Sequence, residues 1–131
     1  MSALLRILIG VFVILHGLVH PLLAVIPPPG EQHTDENPAT MGSYWTASWL
    51  FGKGPGAKKL LYVLAALAAL VLLVAGIAFI GRLSWAKTAW LAGAGLSLLV
   101  LIVFWKKDFV YGISIDALLI AAAFFTSWFS G

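Results

Sequence analysis

The chain has 131 residues, 62% of them hydrophobic and only 10% charged, with a formal net charge of +3 and a mean hydropathy of +1.03. A single domain of this length cannot hide so much apolar surface from water, which excludes a soluble globule and makes lipid the fitting solvent. The few charges cluster between apolar runs and build no basic face, so nucleic acid is excluded as a partner, and the lack of cysteine rules out disulfides and thiolate chemistry.

Four apolar runs follow in chain order, predicting helices at about 3–26, 60–81, 85–105 and 109–129. Each holds roughly 20 residues, enough at ~1.5 Å per residue to cross a hydrocarbon core of ~30 Å. Backbone groups in lipid must be satisfied within the segment, which demands helices. The expected fold is all-α: an integral membrane four-helix bundle forming one domain over 1–131.

The first run opens with Arg6 and is too long for a signal-peptide core, and no small-residue cleavage site follows it; it reads as a retained helix. Within it, Pro21 removes an amide donor and frees the carbonyl of Gly17, predicting a kink beside His16 and His20. Pro27-Pro28-Pro29-Gly30 then ends the helix and begins a long polar loop. Inside that loop, residues 43–51 carry Tyr44, Trp45, Ser48, Trp49 and Phe51 at helical spacing, which suits a short helix lying in the membrane interface. Gly52 to Gly56 reads as a hinge before the second helix.

The two later connections are very short and force the second, third and fourth helices to run antiparallel to their neighbours. Trp85 and Trp105 bracket the third helix and Trp128 stands near the end of the fourth, all as interfacial anchors; Arg6 and Lys87 are expected to snorkel to headgroups. Lys53, Lys58, Lys59, Lys106 and Lys107 outnumber Arg6, Arg82 and Lys87 on the opposite face, placing the long loop in the cytoplasm. Small residues form stripes at Ala89, Gly93 and Ser97, at Gly10 and Gly17, and at Ala65, Ala69 and Gly76, which read as packing faces within one bundle.

His16 and His20 stand one turn apart on one helix face, and Asp116 is the carboxylate deep within an apolar run. Measured from the helix ends, His20 lies roughly 9 Å deep, His16 about 15 Å and Asp116 about 10–11 Å, so Asp116 sits between the two histidines in level, nearer His20. An intramembrane ionisable residue is a functional candidate, and a His–Asp pair suits proton exchange. Tyr44, Trp45, Trp49 and Tyr62 belong to the same half and form a candidate ligand pocket near the interface. No H-E-x-x-H or similar spacing accompanies the histidines, so no metal is assigned, and two histidines on one helix cannot flank one haem iron; the cofactor stays unknown. No Gly-rich phosphate loop, G-x-S-x-G elbow or nucleophile arrangement is present in the sequence.

With Leu5-Arg6-x-x-x-Gly10-x-Phe12-x-x-x-His16-Gly17 in the first helix and Gly76-x-x-x-x-Gly81-Arg82 closing the second, the chain resembles small four-helix bacterial and archaeal membrane proteins of the DoxX-like type. The long insertion at 27–59 and the lack of an acidic residue in the second helix depart from that pattern. The resemblance implies an accessory membrane subunit near oxidoreductase and quinone-linked chemistry, and transfers no catalytic residue. Two functions are therefore expected: a non-enzymatic accessory or scaffold subunit of a membrane complex, contacting lipid or quinone, or a small enzyme or proton-coupled transporter using His16, His20 and Asp116. Membrane lipids and a larger membrane complex or homo-oligomer are the expected partners.

Overall fold

The computed structural model describes residues 1–25, 55–104 and 110–130, so the aromatic segment 43–51 and Trp105 lie outside the described residues. Helices α1 (Ala3–Val25), α2 (Pro55–Ile80), α3 (Ala86–Val103) and α4 (Val110–Phe125) make up the fold, with no strand among the described residues. Three of them, α1 to α3, are long and apolar enough to cross a membrane. The polarity of the bundle is inverted relative to a protein built for water: Leu4, Leu8, Leu15 and Leu22 of α1 and Val63, Leu70 and Ile77 of α2 face outward, while His16, His20, Ser97 and Asp116 are buried. This is a small membrane protein.

Two predicted boundaries need correction. Helix α2 begins at Pro55, inside the expected hinge, because proline at a first helical position gives up only an amide that has no intrahelical acceptor. Helix α4 has 16 residues, about 24 Å, and stops at Phe125 instead of running to 129. There the Thr126 hydroxyl donates back to the Ala122 carbonyl and accepts from the Trp128 amide, offering the backbone an alternative to further helix. Residues 126–130 turn beneath the bundle and lay Trp128 and Phe129 against Phe79 and Trp90, with ring centroids 5.3–6.5 Å apart. Trp128 is thus part of an inner aromatic cluster, whereas Trp85 stays on the outer surface.

Helix α1 packs on α2, α2 on α3 and α3 on α4; the backbones of α1 and α4 make no comparable pairing. The small residues set these distances. A Cβ on Gly76 would fall 2.7 Å from the Gly10 carbonyl oxygen, so α1 and α2 cross almost in backbone contact. Leu72 fills the space opposite two further glycines: a Cβ on Gly17 would lie 2.7 Å from its Cβ, and one on Gly93 would lie 2.8 Å from its Cδ2. Close approach of this kind gains dispersion contacts that lipid cannot supply. One apolar cluster gathers Leu61, Ala65, Val100 and Phe104; the other gathers Val13, Leu72, Phe79, Trp90 and Leu119. Ser97 lies on α3 between Ala94 and Val100, and Asp116 lies on α4 between Ile113 and Leu119, so the polar residues sit in a layer between the two clusters.

Candidate functional site

The structure brings His16, His20 and Asp116 together, as their depths predicted, and adds Ser97. His16 Nε2 donates to Asp116 Oδ1 at 2.7 Å, and the Ser97 hydroxyl lies 2.6 Å from Asp116 Oδ2 and 2.6 Å from His20 Nε2. Asp116 and Ser97 are 0% exposed, His20 2% and His16 8%. The direct partner of the carboxylate is His16 and not His20, although His20 is nearer in expected level; Ser97 spans the gap to His20. Since the backbones of α1 and α4 are not closely paired, the His16–Asp116 bond is a main link across that side of the bundle.

Pro21 explains the orientation of His20. Helix α1 continues through it to Val25, and the Gly17 carbonyl, deprived of the amide it would otherwise accept from, lies 3.2 Å from His20 Nδ1; the His16 carbonyl is 3.1 Å away. A carbonyl oxygen only accepts, so Nδ1 carries a hydrogen. Nε2 is then left to face Ser97.

That constraint allows the hydrogens to be counted. Four contacts need one hydrogen each: His16 to Asp116, Asp116 to Ser97, Ser97 to His20, and His20 to the backbone. Two neutral imidazoles and one hydroxyl bring three, and a carboxylate brings none. The fourth is an additional proton, and it must lie on the line Asp116–Ser97–His20, as a carboxylic acid or as an imidazolium. In either form the cluster is neutral overall. Neutrality suits its surroundings, where an uncompensated charge would be costly.

One ligand atom from each of His16, His20 and Asp116 lies within 4.8 Å of the others, which brings a divalent cation into consideration. Donors around a tetrahedral ion with ~2.0 Å bonds stand roughly 3.3 Å apart. The 2.7 Å and 2.6 Å contacts are hydrogen-bond lengths, and an ion would have to displace the Ser97 hydroxyl from between His20 and Asp116. The arrangement fits hydrogen bonding better than metal ligation.

Of the expected aromatic pocket, Tyr44, Trp45 and Trp49 lie outside the described residues. Tyr62 is half-buried against the Leu61–Val100–Phe104 cluster. Arg6 does not snorkel outward: its Nη1 donates to the Phe79 carbonyl at 3.2 Å, its Nη2 to the Trp128 carbonyl at 3.3 Å, and its guanidinium lies over the Phe79 ring. Lys87 stays exposed, with Nζ 5.4 Å from the centre of the Phe124 ring. Ser97 is the site residue that sequence reasoning missed; its position in the Ala89–Gly93–Ser97 stripe marked it as small and inward-facing, which was the available signal.

Compared with known proteins, the chain matches no family model, no curated protein and no solved structure.

Proposed function

We propose that this chain is a non-enzymatic integral protein of the cell membrane, an accessory or scaffold subunit of a larger membrane complex, in which the His16–Asp116–Ser97–His20 network locks the helices together. The observation that carries this reading is the enclosure of Asp116: both of its oxygens are engaged by side chains of the same chain, and it has no exposed surface to offer a substrate. Polar groups used as interhelical links in lipid look like this. The outward apolar faces of α1 and α2 suit contact with lipid, quinone or a neighbouring subunit, and the DoxX-like resemblance favours the same role. The test is purification in mild detergent followed by native mass spectrometry and a visible absorption spectrum. Co-purifying subunits and a featureless spectrum are expected; a lone chain carrying a chromophore would overturn the proposal.

A second reading, a proton-coupled transporter or small enzyme, is favoured by one observation: Asp116, Ser97 and His20 stand in an unbroken line of short polar contacts along which one proton can be held on either end. On that reading His16, His20 and Asp116 exchange the proton with the long-loop side. Reconstitution in vesicles with an enclosed pH dye separates the two. A flux that Asp116→Asn abolishes belongs to the transporter, and no flux above empty vesicles belongs to the scaffold.

A further inference from the structure

At the end of the bundle away from the histidines, three cations converge on a hollow. A cavity of about 350 Å³ is lined by Arg6, Phe79, Arg82, Lys87, Trp128 and Phe129. A second, of about 480 Å³, adjoins it and shares Arg6, Arg82 and Trp128. No Asp or Glu occurs in residues 1–10, 76–90 or 120–130, the segments that build this end, so among the described residues of this end the three positive charges have no acidic side chain to pair with.

The arrangement is built and not incidental. Arg6 is held in place by its two carbonyl acceptors and the Phe79 ring, while its Nε is buried with no hydrogen-bond partner among the described residues. Arg82 is still more telling. Its amide donates to the Phe79 carbonyl and the Leu83 amide to the Ala78 carbonyl, the bonding of a helix C-terminus that ends in a left-handed residue. Arg82 occupies that position with φ 57°, where glycine is the unstrained choice. Gly81 is the neighbour, yet the strained place is given to the arginine. Strain retained at one residue points to a use for its side chain. The first turn of α3 meets the same cavity through Ala86 and Lys87, and Trp85 provides no side-chain cap for its amides. Arginine forks, an ammonium group and an uncapped helix start all favour an oxyanion.

We propose that Arg6, Arg82 and Lys87 form a binding site for a phosphate group. The exposed Trp85 beside it marks the level of the membrane interface, and Phe79, Trp128 and Phe129 give the cavity apolar walls, so the headgroup of an anionic phospholipid and a free phosphate ion are the two sources of that chemistry.

Arg82→Gly is the informative variant, because it removes a charge from the site while relieving the strained turn. The full chain in mild detergent is titrated with short-chain phosphatidylglycerol, with short-chain phosphatidylcholine and with inorganic phosphate, reading the fluorescence of Trp128 against that of a Trp128→Phe chain. Saturable binding of phosphatidylglycerol but not phosphatidylcholine, weakened about tenfold or more by Arg82→Gly and again by Lys87→Gln, is expected for a lipid site. Saturation by inorganic phosphate with the same sensitivity identifies the free ion as the ligand. Thermal unfolding confirms in parallel that both variants are folded, with Arg82→Gly at least as stable as the parent. Absence of binding to either phosphate source, or binding that both folded variants retain unchanged, overturns the proposal.

Discussion

Replacing Asp116 by asparagine should cost the bundle less than replacing it by leucine, and this follows from the hydrogen count. An asparagine has the shape of the carboxylic acid form. Its Oδ1 accepts from His16 Nε2, its amide nitrogen donates to Ser97 Oγ, and the freed hydroxyl hydrogen of Ser97 points to His20 Nε2, where contacts of 2.7, 2.6 and 2.6 Å now stand. All four contacts are then satisfied without an extra proton, and only the second amide hydrogen is left unpaired, so the expected loss is about 1–3 kcal/mol. Asp116→Leu removes both bonds to the aspartate and strands the His16 Nε2 hydrogen in an apolar layer. Interhelical bonds in lipid are worth about 0.6–1.7 kcal/mol each, and a stranded donor costs about 1–3 kcal/mol, so the loss of two bonds with one donor stranded should be roughly 2–6 kcal/mol. Unfolding of both variants by titration with a denaturing detergent, followed by tryptophan fluorescence, measures the difference. If asparagine costs as much as leucine, the proton resides on His20 and an imidazolium–carboxylate arrangement holds the helices, which refutes the carboxylic acid form.

Ser97→Ala takes away the hydroxyl that bridges His20 and Asp116, leaving one buried donor and one buried acceptor unpaired; a loss of about 1–3 kcal/mol in the same assay is expected. Nitrogen-15 NMR of the imidazoles should show His20 protonated at Nδ1, and Pro21→Ala, which returns an amide to the Gly17 carbonyl, should weaken that preference; a ring protonated only at Nε2 would contradict the backbone bond. Gly17→Ala and Gly93→Ala should each destabilise by about 1–3 kcal/mol through overpacking. Leu72→Ala should relieve only the second, since the clash at Gly17 is with the Leu72 Cβ and the one at Gly93 is with the end of its side chain; equal rescue in the unfolding assay would argue against this packing.

The sequence made the polar layer legible because helix geometry fixes depth. His16 and His20 share a face by their spacing, and short connections put Asp116 at their level. What depth alone could not supply was the pairing, since levels counted from helix ends assume that the ends are flush. Ser97 was hidden by its own double nature: the same residue is small enough for a packing stripe and polar enough to bridge two buried groups. The inward turn of Arg6 has no sequence signature, because its acceptors are the backbone carbonyls of Phe79 and Trp128. The early end of α4 was written in Thr126, but a threonine near a helix end is compatible with either outcome until the Trp128 amide is seen to use it.

Enclosure of Asp116 is the claim on which the scaffold reading stands, and its reactivity tests that claim most directly. The chain in mild detergent is treated with an apolar, membrane-permeant carbodiimide, and the peptide containing residue 116 is weighed by mass spectrometry, with the unfolded chain as the reference. A carboxyl sealed between two apolar clusters and bonded at both oxygens should form no adduct while folded and a full adduct once unfolded. Rapid labelling of Asp116 in the folded chain would contradict the account and turn attention to proton exchange.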